Sequence, residues 1–213
     1  MPSGWTPRGC AARNGIWIAS TAPDHQSVSA PMAATRGCGA AGGVRSAIAE
    51  TAEAVFFDQL EAEQRPIARQ IFLRLTELGS EGTTADTRRR VNFAELTQTP
   101  EQWAVVREVL NTLADARLIT TDQNTAEVAH EALIREWPTL RGWLEEDREG
   151  LRLHRHLTES ALEWENRQHD PDGLYRGARL AQALEWSSAN ASVLNIQERA
   201  FLEASQTLAE QES

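Results

Sequence analysis

The stretch RLITTDQNTAEVAHEALIREW, Arg117 to Trp137, decides the fold. Two short runs, RLITT and AEVAH, flank the polar DQN and read as a β-hairpin. Helical periodicity then resumes at His130 or Glu131. Immediately upstream, Pro100 suits the first turn of a helix whose buried face is Trp103, Val106, Leu110 and Leu113. RRRVNF, from Arg88, reads as a short strand and FAELTQT as a short helix or turn. Earlier still, GSEGTTADT breaks the chain after a helix carrying Ile67, Ile71, Phe72, Leu75 and Leu78. Pro66 is tolerated only in that helix's first turn, which puts its start close to Ala62. Another helix begins at Val44 and presents Ile48, Val55 and Phe56. Helix, strand, helix, helix, hairpin is the order of a winged helix.

Downstream, Pro138 should kink or break the chain, after which Leu140, Leu144, Leu153, Leu157, Ala161 and Trp164 line one side of a long helical stretch. Two further helices follow the loop RQHDPDG, near YRGARLAQALEW and IQERAFLEASQTLAEQ. The fold class expected is therefore mainly α: a winged-helix domain with a small β-hairpin over residues 44–137, then a helical bundle or arm over 138–213. Residues 1–43 are rich in Gly, Ala, Ser, Pro and Thr without a sustained period, and read as a disordered tail.

Composition narrows the chemistry. The chain has 213 residues, 41% of them hydrophobic, enough for a real core. All 21 basic residues are arginine. A Walker A loop needs its lysine on the β- and γ-phosphates and Schiff-base catalysis needs an amine, so neither chemistry is encoded. Both cysteines, Cys10 and Cys38, lie in the tail, which leaves no disulfide framework or thiolate metal site in the body. The net charge is −10, and the tail is positive, so the body is strongly acidic and repels nucleic acid and anionic membrane over most of its surface. No apolar run approaches a membrane span or a signal-peptide core, and a cytoplasmic location is expected.

His130 is the candidate site residue. As a zinc ligand it begins HExxH correctly, but the second ligand position is Ile134. The pair His154 and His156 is two residues apart, about 200° around a helix, and cannot converge on a metal. No Gly-x-Ser-x-Gly turn accompanies a triad. Glu145, Glu146, Asp147 and Glu149 read as a solvated helix face paired with Arg148 and Arg152. A DNA reader would use the helix after Pro100, but its Glu101, Glu108 and Asp115 outweigh Arg107, and the hairpin loop has no basic residue. The triple arginine, Arg88 to Arg90, reads as a domain contact or solvated edge. A histidine in a helix's first turn stands beside unpaired N–H groups and the positive dipole end, where phosphate is readily held. A histidine that merely caps a hairpin corner, its ring bonded to backbone, fits the same position.

The stretch AEVAHEALIREWPTLRGWLEEDREGLRLHRHL, together with DTRRRV, LADARLIT and LYRGARLAQALEW, resembles the novel STAND NTPases, bacterial signal-transduction ATPases often fused to WD-type repeats. The resemblance runs from about Gly42 to about Ser205. It implies the winged-helix and helical region that follows the ATPase core and leads toward C-terminal sensor repeats. In related STAND proteins of the NB-ARC type, a histidine at this place touches the β-phosphate of ADP, which by analogy gives His130 the role of phosphate sensor. Neither a Walker A nor a Walker B motif is found, so the chain itself is expected to be non-catalytic, with no cofactor of its own, and to be a truncated or split gene product. ADP or ATP belongs to the parent family. The partners implied are a P-loop NTPase domain, in cis or in trans, and a WD-type repeat or other sensor domain, with no nucleic acid and no membrane. In this reading Trp143 and Trp164, on one long helix, transmit the motion, and the five tryptophans after Gly43 mark partly exposed contact surfaces. The alternatives are a stand-alone adaptor that docks a partner helix or repeat protein, and a DNA-binding regulator.

Overall fold

The structure is a computed structural model and describes residues 40–80 and 85–212. Most of the expected tail, with both cysteines, lies outside the described residues. Helix α1 (Ala40–Ala54) runs into a π-helical turn at Val55–Gln59, closed by Leu60 N–H donating to the Val55 carbonyl at 3.1 Å. Helix α2 (Gln64–Arg74) carries Pro66 in its first turn, where the missing N–H has no helical partner to lose.

Strands β1 (Thr76–Glu77) and β2 (Thr87–Arg88) pair antiparallel, and β3 (Val91–Asn92) belongs to a second sheet. RRRVNF is thus not one strand but a crossing between two sheets. The crossing has a physical cause at Arg89: its N–H donates to the Leu75 carbonyl at 2.7 Å, and its guanidinium forks onto the buried Glu95 carboxylate at 2.8 and 2.9 Å. Helix α3 (Phe93–Leu96) and a 3₁₀ turn at Pro100–Gln102 lead into α4 (Trp103–Asp115).

Helix α4 buries Val106, Val109, Leu110 and Leu113. Trp103, expected on this face, instead lies half-buried against Phe93 with ring centroids 5.6 Å apart, and Val109 takes the inward place. The helix ends in a Schellman closure: Leu118 N–H reaches the Leu113 carbonyl and Arg117 N–H the Ala114 carbonyl. Arg117 has φ 58°, a left-handed conformation that glycine adopts at lower cost.

From this closure the hairpin departs. Strands β4 (Ile119–Thr121) and β5 (Thr125–Val128) pair antiparallel, with Thr121 opposite Ala126, and β3 adds on the far side of β5, giving the order β3-β5-β4. Inward Ala126 and Val128 alternate with the more exposed Thr125 and Glu127. The mainly α fold with a small hairpin is what the sequence predicts.

Helix α5 (Glu131–Glu136) stops at Trp137, whose φ −82° and ψ 108° show the bias of a residue before proline, and Pro138 opens α6 (Pro138–Glu146). The turn drives the Trp137 ring into the core, fully buried, against Phe72 at 5.0 Å, Trp143 at 5.4 Å and Phe56 at 6.0 Å. Its indole N–H and the Thr139 hydroxyl both donate to Glu53 of α1. That anchors α1 over α5.

A second break comes at Asp147, with φ −150° and ψ 71°, before α7 (Arg148–Asn166). The long stretch is therefore two helices, and Trp143 and Trp164 lie on different ones. Leu140 and Leu144 belong to a first apolar cluster that spans Ala52 to Leu144; Leu157, Ala161 and Trp164 belong to a second that spans Leu157 to Leu202. Leu153 is only half-buried, and the adjacent His154 is buried in its stead. Helices α8 (Gly177–Ala189) and α9 (Ile196–Gln211) complete the second cluster, where Phe201 packs edge-on to Tyr175 and Trp164. Of the five tryptophans expected on partly exposed surfaces, Trp103, Trp143 and Trp186 are half-buried, whereas Trp137 and Trp164 are buried and build the two cores.

Candidate functional site

His130 is set by the hairpin on one side and α5 on the other. Ala129 N–H donates to the Leu118 carbonyl at 3.0 Å, which carries the β5 ladder one residue further, and Val128 is fully buried. His130 then takes an extended conformation (φ −135°, ψ 125°) as the N-cap of α5, its carbonyl accepting from Leu133 N–H at 2.9 Å. The imidazole makes no capping bond to the helix and is exposed. The ring is not hydrogen-bonded to the adjacent backbone. Next to it Glu131 is engaged by Arg135 at 2.7 Å, which offsets the one acidic charge in that first turn. Strand β2, with exposed Arg88, packs on α5, while Arg90 pairs with Glu127 at 3.3 Å.

The other candidates disperse. His154 is buried and His156 exposed, so the two rings face different surroundings; among the described residues no three His, Cys, Asp or Glu side chains gather as metal ligands. The acidic run is paired differently from expectation. Glu146 meets Arg69 at 2.5 Å and Glu145 meets Arg141 at 3.8 Å, whereas Asp147 accepts from Gly150 N–H at 2.8 Å and caps α7. Arg148 forks onto Asp86, at 2.8 and 3.0 Å, and its hydrogen bonds hold that carboxyl below the usual carboxylate range. On α4 and the 3₁₀ turn before it the exposed positions include Glu101, Glu108, Asp115 and Arg107, and the tip of the hairpin is exposed and uncharged apart from Asp122. This surface is acidic.

The most elaborate polar arrangement was not foreseen. Arg74, the last residue of α2, reaches across to Glu198 of α9 with both terminal nitrogens at 3.0 Å, and also donates to the Val193 carbonyl at 2.8 Å. Thr158 donates to the same carboxylate at 2.6 Å, and Asn195 N–H at 2.9 Å completes a capping box with Glu198. His154 Nε2 lies 3.1 Å from Glu198 Oε2 and 3.0 Å from Arg74 Nη2. Because the two Nη2 hydrogens are taken by Glu198 and Val193, we assign the proton to Nε2, donating to Glu198. Trp186 covers the imidazole, ring centroids 4.7 Å apart.

Burial works against the charged Glu198, but Arg74 and the hydrogen bonds outweigh it and hold the carboxyl well below its ordinary range. Burial lowers the His154 pKa, and the nearby Arg74 adds to this against the pull of Glu198, so the ring is neutral at pH 7. A cleft of about 470 Å³ opens beside this network, between the end of α2, the β1 segment and α7; Arg152, Arg155 and Glu77 are among its lining residues. The capping box Asn195-x-x-Glu198 was readable in the sequence as a helix start. Its partner Arg74, 124 residues away, was not.

Among the described residues no helix is long and apolar enough to cross a membrane. Comparison with curated proteins and with solved structures gives no match. Residues 25–172 match the profile of one family, described as novel STAND NTPase 1. The match starts earlier than the resemblance read from the sequence and stops before α8. It covers well over half of the chain, including the hairpin, His130, α5, α6 and α7, and on that ground the chain belongs to the novel STAND NTPase 1 family.

Proposed function

We propose that this chain is the regulatory, non-catalytic part of a STAND-type nucleotide switch: a winged helix, residues 44–137, followed by a helical arm, residues 138–213. It acts as a lid that a P-loop NTPase domain, in cis or in trans, closes around ADP, and it relays the nucleotide state toward WD-type or other sensor repeats. The winged-helix assignment is supported by the strand order β3-β5-β4 with α3 and α4 inserted between β3 and the hairpin. The observation that carries the nucleotide role is His130, exposed, without a capping bond, and held between a buried strand end and a helix start.

This chain offers a phosphate one imidazole and no loop to wrap it, so the remaining contacts must come from the P-loop domain. The ring can donate a hydrogen bond to a phosphate oxygen and register whether the lid is seated. The acidic exposed face of α4 favours this protein-facing role over a DNA-reading one.

The test is calorimetric. The full chain is mixed with a P-loop NTPase domain of the same family, and association is measured with and without ADP. ADP is expected to tighten association at least tenfold, and His130→Ala to remove that gain while leaving ADP-free association unchanged. Association indifferent to ADP, an unchanged gain in His130→Ala, or ATP hydrolysis by the purified chain alone would each overturn the proposal.

A further inference from the structure

The buried apolar side chains fall into two clusters; Leu151 of α7 packs against the first, and the remaining side chains that join the two regions are charged. Along α7, Arg148, Arg152 and Arg155 stand at spacings of four and three, on one face of the helix. Each reaches an acceptor on the first region. Arg148 takes Asp86, Arg152 donates to the Gly79 carbonyl at 3.4 Å, and Arg155 donates to the Thr76 carbonyl at 2.7 Å with Glu77 at 3.4 Å. Arg74 returns the contact from the first region into the second, ending on the fully buried Glu198.

Such a seam behaves differently from an apolar one. Separating two greasy faces exposes both to water at a cost that grows with area. Separating ion pairs restores hydration to every charge, which offsets much of the attraction lost. Removing a single partner while the seam stays shut leaves an uncompensated buried charge, which is costly. The seam is therefore stable when complete, tolerable when fully open, and unfavourable in between. It also has a pivot. Asp147 is the lone non-helical residue between α6 and α7, and its side chain caps α7 through Gly150, where any Cβ would collide with the Asp147 carboxylate.

We propose that α7–α9 form an arm that swings as one body about Asp147, latched shut by the arginine seam through Arg74–Glu198 and the three arginines of α7. This goes beyond the lid role of His130 and supplies the moving part that such a lid needs to pass its state along the chain.

Hydrogen exchange of the full chain, followed by mass spectrometry without nucleotide, tests it. In Arg74→Gln, which takes the cation from Glu198 while its donors inside the arm, Thr158 and Asn195, remain, the amides covered by the seam, at 76–79 and 194–198, are expected to exchange at least tenfold faster. Because the arm moves as one body, the amides inside α8 keep the wild-type rate, as do those of α4 and β5. Uniform acceleration through both regions, acceleration inside α8, or no acceleration at the seam overturns the proposal. Should Arg74→Gln prevent folding, Arg155→Gln decides by the same pattern: faster exchange confined to the seam amides supports the latch, and uniform or unchanged exchange refutes it. Because no nucleotide enters, failure here leaves the ADP reading standing, and failure of the ADP reading leaves the latch standing.

Discussion

The region from Ala52 to Leu144 closes around a cluster of rings, Phe56, Phe72, Trp137 and Trp143, whereas the region from Leu157 to Leu202 closes around Phe201 and reaches its neighbour through ion pairs. The first also carries the three-stranded sheet; the second is helical throughout. An apolar cluster tolerates small adjustments because dispersion contacts are many and weak. A buried carboxylate with five donors around it tolerates none, since every donor lost exposes the same charge. The difference teaches that the two regions fail in different ways, the first by loosening and the second by unlatching.

The largest effect should come from breaking the first region alone. Trp137→Ala removes a fully buried indole and leaves Glu53 without one of its donors. A loss of about 3–5 kcal/mol is expected, enough to unfold both regions together in a denaturant titration followed by circular dichroism. Survival of the sheet signal would show that the ring cluster is not the organising element.

Acid should instead break the second region first. The folded Glu198 carboxyl sits below its ordinary value, so its stabilisation is complete above the usual glutamate range and falls away as pH drops through it. The folded His154 also sits low, so below about pH 6.5 the unfolded chain takes up a proton that the buried ring refuses, and stability declines from there downward. Asp86, held low by Arg148 on the same seam, adds to the loss at still lower pH. Arm amides should therefore lose protection between pH 7 and 4 ahead of those in α4 and β5. Simultaneous loss in both regions would erase the distinction.

The smallest effect sharpens the comparison from the other side. Arg117 ends α4 in a left-handed conformation on an exposed position, and Arg117→Gly should stabilise the first region by about 1 kcal/mol. Its melting temperature should rise while exchange in the arm is unchanged. A destabilised variant would mean that the Arg117 side chain contributes more than its backbone costs.

Much of this was legible in the residues themselves. The alternation of Thr125 to Val128, the polar DQN and the restart at Glu131 located the hairpin and α5, because period-2 and period-3.6 patterns are local. Pro138 announced its break, and the final two helices lie where their apolar spacing puts them. What escaped was non-local. The sheet switch at Arg89 depends on Leu75 and Glu95, partners that no window around RRRVNF contains. The break at Asp147 carries no proline, and only the cap from its side chain to Gly150 marks it. For the candidate site, His130 could be named from its place after the hairpin, but its exposure could not. The Arg74–Glu198 pairing had no signal at all, since charged residues on amphipathic helices ordinarily face water.

The guanidinium groups of the seam keep their charge at every pH a cell maintains. With lysine wholly missing, reagents and enzymes that neutralise side-chain amines have nothing to act on at this junction. Any agent that pries the arm loose must therefore bring oxygen acceptors of its own, or alter the carboxylates opposite; the cations themselves cannot be silenced by acetylation.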